Sequence, residues 1–179
     1  MKREWKYLLV GVAALWLAAC GGKKQTDDII AQEIEEPQPQ APISQQEFTK
    51  EQDVQWIGRT YHLYVQREPC DSLPKVQDEM GQEFIDNVAT VTVSRADGSV
   101  FFKRQFQKSD FSAQLSEEYR RQVVLEGLVF EKTDGDWLQF AASISLPQTD
   151  EFIPFVIRLS RMGELKIVRE STLDADSAE

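Results

Sequence analysis

Residues 125–146 read Leu125-Glu126-Gly127-Leu128-Val129-Phe130-Glu131-Lys132, then Thr133-Asp134-Gly135, then Asp136-Trp137-Leu138-Gln139-Phe140-Ala141-Ala142-Ser143-Ile144-Ser145-Leu146. In the last run Leu138, Phe140, Ala142, Ile144 and Leu146 take every second place, with Gln139, Ala141, Ser143 and Ser145 between them. A period of two sends alternate side chains to opposite faces of a strand, so this run has a long apolar face and a small, polar one. Asp134-Gly135 is a hairpin turn between it and the run before.

The same grammar extends in both directions. Upstream, Val88 to Val93 and Val100 to Phe106 flank Ala96-Asp97-Gly98-Ser99, where Asp-Gly supplies the positive backbone angles of a tight hairpin. Further upstream, Tyr61, Leu63 and Val65 alternate with Thr60, His62, Tyr64 and Gln66. Downstream, Phe152 to Arg161 and Glu164 to Arg169 flank Met162-Gly163. Three hairpins preceded by one strand predict a mainly β fold, a single antiparallel meander of about seven strands, with an eighth somewhere in Lys75 to Ile85.

One stretch breaks the period. Between Phe106 and Val123, Ser109 or Asp110 caps a helical insertion; Glu117 and Glu118 precede Arg120 and Arg121, in keeping with the helix dipole. Leu115 and Tyr119, four apart, share its buried face. The apolar face of the sheet has to be covered. Pairing between sequence neighbours favours an up-and-down, lipocalin-like β-barrel; a β-sandwich or roll, or an α+β cone with a helix across a curved sheet, are the alternatives.

The N-terminus reads differently. Lys2, Arg3 and Lys6 precede an unbroken apolar run from Tyr7 to Ala19, shorter than the roughly 20 residues a membrane-spanning helix needs. A basic start, a short apolar run and small residues at its end make residues 1–19 a secretory signal peptide. It ends in Leu17-Ala18-Ala19-Cys20, which resembles the lipobox of bacterial lipoproteins and makes Cys20 the lipidation site. Two or three acyl chains on Cys20 anchor a protein stably, where one does so marginally.

Residues 20–52 then turn to Gly, Gln, Pro and acid, centred on Glu35-Glu36-Pro37-Gln38-Pro39-Gln40-Ala41-Pro42. So little apolar surface cannot offset the entropy of ordering, so this is a disordered tether, with Asp27 to Glu36 as a stretch that could turn helical. The β-rich domain runs over 53–170, and 171–179 form an acidic disordered tail.

The 179 residues hold 20 Lys plus Arg against 30 Asp plus Glu, a net charge of −10. Loss of the signal peptide removes three cations and one anion, so the mature chain is more acidic still. Such a chain is a poor ligand for nucleic acid and lacks a basic patch for anionic lipid. Its membrane contact is expected through the lipid alone. With Cys20 acylated, Cys70 is the single thiol left, so the mature chain has no partner for an intramolecular disulfide. The context Glu68-Pro69-Cys70-Asp71 works against a thiolate, and Cys70 is expected to be inert.

Arg95-Ala96-Asp97-Gly98-Ser99, Phe102-Lys103, Phe106, Lys108 and Asp110-Phe111, followed by Leu125 to Phe130 and by Phe140-Ala141-Ala142-Ser143 through Pro147-Gln148-Thr149-Asp150-Glu151, resemble a lipoprotein family of gut and oral anaerobes known as a domain of unknown function. The resemblance covers Val54 to Glu170, and Asp86-Asn87 also fit it. It implies a secreted, lipid-anchored, β-rich single domain and brings with it no catalytic residue.

His62 is the single histidine, which removes multi-histidine zinc sites and makes any histidine-dependent triad rest on one residue. It sits mid-strand on the face of Thr60 and Tyr64 and reads as structural or solvated. Asp134-Gly135-Asp136 lacks the continuation of a calcium loop and reads as a turn. Asp86, Glu83 and Asp150 are candidates for the paired carboxylates of a glycosidase. The polar loop Pro147 to Glu151 would lie at a barrel mouth, where binding residues tend to sit.

These readings predict no catalytic residue, cofactor or metal. They predict a lipid-anchored cell-envelope lipoprotein, in the outer membrane on its periplasmic or surface side, whose β-domain binds a small apolar ligand or an envelope protein. The alternatives are a carboxylate-dependent hydrolase of envelope glycans or peptides and a structural subunit of a surface assembly.

Overall fold

The computed structural model describes residues 40–170. The expected signal peptide, Cys20, most of the expected tether with its Asp27 to Glu36 stretch, and the expected 171–179 tail lie outside the described residues. No described helix is long and apolar enough to cross a membrane.

Among the described residues ten antiparallel strands form in chain order. They are β1 (Phe48–Trp56), β2 (Arg59–Pro69), β3 (Val76–Gln77), β4 (Glu83–Phe84), β5 (Asn87–Arg95), β6 (Val100–Gln107), β7 (Val124–Asp134), β8 (Trp137–Ser145), β9 (Phe152–Ser160) and β10 (Leu165–Arg169). The three expected hairpins are β5–β6, β7–β8 and β9–β10. The expected eighth strand is the two-residue pair β3–β4.

The barrel does not close. Eight long strands divide into two four-stranded sheets, ordered β1-β2-β5-β6 and β10-β9-β8-β7, and among the described residues no backbone ladder joins them. This is the two-sheet alternative rather than the lipocalin-like one. The reason lies in the insertion between β6 and β7, which carries the chain from one sheet to the other. Its Phe111 and Leu115 enter the core that the sheets share, with the Phe111 ring 5.0 Å from that of Phe155 of β9 and tilted 57° to it.

That insertion is two pieces: a 3-10 segment over Lys108–Gln114 and a short helix α1 over Glu117–Gln122. The cap of α1 is Ser116, whose Oγ accepts the Tyr119 N–H at 3.3 Å, and not Ser109 or Asp110. Asp110 instead turns back, accepting the Gln107 N–H at 2.8 Å and pairing with Arg104 at 2.6 Å. Leu115 is buried and Tyr119 half-buried, but they do not share a helix face: Leu115 precedes α1 in extended backbone.

The facing of β8 agrees with its period: Leu138, Phe140, Ala142 and Ile144 are buried in the common core. So are Leu63, Val65, Val91 and Val93 from the first sheet. Side chains therefore fill the space in which a barrel ligand was expected.

The domain also starts earlier than Asp53. β1 begins at Phe48 and pairs with β2 from Phe48↔Arg67 to Trp56↔Arg59, and Ile43 bridges to Phe84. Residues 40–52, expected in the tether, thus include a bridge and half an edge strand. Between Trp56 and Arg59 only Ile57 (φ 47) and Gly58 (φ 74) remain, a tight turn with both residues left-handed.

Candidate functional site

Asp86 and Asn87 tie the sheets together. Asp86, 2% exposed, accepts the Leu125 N–H at 2.9 Å through Oδ1, and Asn87 Nδ2 donates to the Leu125 carbonyl at 2.8 Å. Two side chains thus occupy the donor and acceptor of β7 as a neighbouring strand would. Lys108 Nζ lies 3.1 Å from Asp86 Oδ2 and donates to the Val123 carbonyl at 2.7 Å. A buried charge is held only when paired and hydrogen-bonded, and Asp86 is both.

One residue past Leu125 the ladder slips. Leu125 pairs with Ile144 and Gly127 with Ser143, so Glu126 is the extra residue of a β-bulge. A bulge re-aims its side chain. Glu126 Oε2 accepts a hydrogen bond from Ser145 Oγ at 2.9 Å and another from Gln45 Nε2. Gln45 Oε1 in turn accepts from Asn87 Nδ2 at 2.6 Å and from Arg67. Burial pushes the Arg67 guanidinium below its ordinary value, and the charge of Glu126 opposes that shift. Beside the bulge, Gly127 leaves room for Ser143: a Cβ there would stand 3.3 Å from its Oγ.

The β8–β9 loop faces the same place. It closes on itself through Leu146 N–H to Glu151 O at 3.1 Å and Thr149 Oγ1 to Leu146 O at 3.1 Å. Gln148 is held at φ 59, a left-handed conformation that a side chain adopts at a cost. Two pockets open beside this loop. One, of about 340 Å³, is lined by Glu126, Ser143, Ser145, Thr149, Asp150 and Phe152. The other, of about 320 Å³, includes Ile43, Phe84, Ile85, Val124, Pro147 and Gln148. Both have Glu126 and Thr149 in their walls, so they adjoin along one groove, its first part lined mostly by carboxylates and hydroxyls and its second by a mixture of apolar and polar side chains.

Of the residues singled out in the sequence, the Pro147 to Glu151 loop lies at this groove. The three carboxylates do not converge: Asp150 lines the polar part, Asp86 is bound to Lys108, and Glu83 pairs with Lys75 at 2.8 Å. The Lys75 hydrogen bond holds the Glu83 carboxyl below its usual range. His62 stands half-exposed on the outer face of the first sheet, its Nδ1 2.9 Å from Oδ1 of its cross-strand neighbour Asp53. Cys70 is a free, half-buried thiol whose Sγ is 3.1 Å from Ser72 Oγ. Asp134 and Asp136 pair with Arg158 and Arg161 of the β9 end.

Glu126 and Gln45 were not foreseen. Glu126 had a signal, since the buried Leu125 and Leu128 stand three apart where a regular strand requires two. Gln45 had none, because a glutamine in a polar stretch carries no pattern.

Fold and site together define a two-sheet antiparallel β-domain with an open groove beside its β8–β9 loop. The chain belongs to the family described as a domain of unknown function, DUF4738, whose match covers residues 27–167. That match begins well before Val54, where the resemblance in sequence was expected to start. No curated protein matches the chain.

Proposed function

We propose that this protein is a lipid-anchored binding protein of the cell envelope, probing its surroundings from a tether that starts at Cys20. Its β-domain takes a partner protein or a small apolar ligand at the groove beside Pro147 to Glu151 and carries no chemistry of its own. The observation that carries the reading is a bulge and a left-handed residue meeting at one concave surface. The Glu126 bulge and the left-handed Gln148 both line the groove, and such features gather where a chain builds a site. The anchor rests on Leu17-Ala18-Ala19-Cys20.

The test uses the full-length lipoprotein in cells with a photoreactive amino acid at Thr149, or at Gln105 on β6. A crosslinked adduct is expected from Thr149 and not from Gln105. Cys20→Ala should move the protein from the membrane pellet to the soluble fraction. Adducts at Gln105 alone would place binding elsewhere, and a Cys20→Ala protein that still pellets and labels with a palmitate analogue would remove the anchor.

A hydrolase of envelope glycans or peptides is the second reading, favoured by Glu126 and Asp150 lining one open pocket. Such an enzyme needs a proton donor and a base or nucleophile flanking the scissile bond. Release of fragments from purified peptidoglycan by the wild type, abolished by Glu126→Gln, would favour it over the binding reading.

A further inference from the structure

The polar part of the groove is built from two carboxylates, three hydroxyls and a ring. Phe152 is 57% exposed, the most exposed aromatic side chain among the described residues, and it sits opposite Ser145 at the start of β9. Elsewhere the chain places cations on its rings: Arg95 stands 5.2 Å from Phe101, Arg104 5.1 Å from Phe106, and both Arg158 and Lys166 lie about 5 Å from Trp137. Phe152 has no such cation among the described residues. Glu126 and Asp150 likewise have no ion pair there, since Arg67 reaches Gln45 and Gln46 instead. The lining of this pocket contains no lysine or arginine. An open ring beside Asp150, which has no ion pair among the described residues, with Glu126 sharing its charge with Arg67 across Gln45, has the charge and shape of a receptor for a cationic side chain. The adjoining part is mixed: Ile43, Ile85, Val124 and Pro147 stand in its wall beside Ser44, Gln45 and Gln148, and its apolar side chains suit the residue next to that cation.

Resting on the reading of the groove as a binding site, we propose that its Phe152 end takes an arginine or lysine side chain from an extended segment of a partner protein, whose neighbouring apolar side chain enters the Ile43 end. The cation lies over the Phe152 ring and within reach of Asp150 and of Glu126 Oε1, the oxygen that Ser145 and Gln45 leave free. Hydroxyls of Ser143 and Thr149 supply acceptors for its remaining N–H groups.

The full-length lipoprotein in nanodiscs of zwitterionic lipid would be titrated against three fluorescein-labelled peptides, Gly-Leu-Arg-Leu-Arg-Leu-Gly and its counterparts with Gln or Glu in place of Arg. The Arg peptide is expected to bind about tenfold tighter than the Gln peptide, and to weaken with added salt. Phe152→Ala and Asp150→Asn should each weaken it about two- to fivefold, leaving thermal melts unchanged because both side chains are exposed. Ile43→Ser should weaken the Arg and Gln peptides alike. Equal binding of Arg and Gln peptides, both lost in Ile43→Ser, would overturn the cation while the groove stands. Argininamide binding as tightly as the Arg peptide would overturn the polypeptide. No binding by any peptide, or binding indifferent to all three variants, would overturn both the proposal and the groove.

Discussion

Ile57 is the residue at which this chain departs furthest from what its backbone asks. The β1–β2 register leaves Ile57 and Gly58 alone between Trp56 and Arg59, and both have positive φ. Glycine adopts that conformation freely, whereas a β-branched residue meets its own carbonyl and pays roughly 1–2 kcal/mol. Asparagine tolerates it, and Asn-Gly is the favoured pair for such a turn. Ile57 is 42% exposed, so little burial is lost on replacing it. Ile57→Asn should therefore raise the stability of the domain by about 1 kcal/mol in a denaturant melt. A midpoint that falls would mean that the Ile57 side chain supplies packing that outweighs its strain. The same residue explains why β1 was illegible. Asp97-Gly98 and Asp134-Gly135 announce their hairpins, but Ile-Gly resembles the middle of an apolar run, and the first five residues of β1 are mostly exposed, four of them polar after Phe48. An edge strand draws its hydrogen bonds from β2 and needs no apolar pattern of its own, so composition made Phe48 to Gln52 look like tether.

Among the elements, legibility follows burial of a single face. In β5 and β8 every second side chain enters the core, and period alone set their facing. In β7 the bulge at Glu126 shifts that period by one, so a reading by alternation carries the wrong face across it. The insertion was placed correctly but not divided, because Ser116 ends one turn type and caps the next. The facing of β8 has a direct test. Phe140, 1% exposed and 5.7 Å from the ring of Phe130, lies in the core, and Gln139 points outward to Glu131 at 3.0 Å. Phe140→Ala should cost about 3–5 kcal/mol through lost contacts and a cavity, and Gln139→Ala should stay within about 0.5 kcal/mol. Equal losses in the two variants would contradict this packing. The cavity of Phe140→Ala forms away from the groove, so a crosslink from Thr149 should persist in it at temperatures well below its melt.

For the molecule as a whole, the question is what holds two separately hydrogen-bonded sheets in one body. A closed barrel would have answered it with backbone ladders, which is why neighbour pairing pointed there. Side chains answer it instead, and side-chain pairing across 39 positions, from Asp86 to Leu125, leaves no trace in a periodic pattern. The common core contributes most of the attraction, but apolar contact is non-directional and does not fix how β7 lies against β5. Asp86, Asn87 and Lys108 do, by fixing the Leu125 N–H, the Leu125 carbonyl and the Val123 carbonyl. Since Glu126 follows Leu125 directly, the same clamp positions the groove. Asp86→Ala removes the acceptor of a buried N–H and leaves Lys108 without its counter-charge. Breaking a buried pair from one side costs about 3–5 kcal/mol, and replacing both members with apolar groups costs much less. Asp86→Ala should therefore lose about that much in a denaturant melt, Asp86→Ala with Lys108→Met should recover only the part due to the unpaired Lys108 charge because the Leu125 N–H still lacks its acceptor, and Arg121→Ala, which breaks an exposed helical pair, should melt as the wild type does. If Asp86→Ala melts with the wild type, the core alone orients the sheets. If the double variant is stable yet no longer crosslinks from Thr149, the clamp is needed to shape the groove and the core suffices to hold the fold.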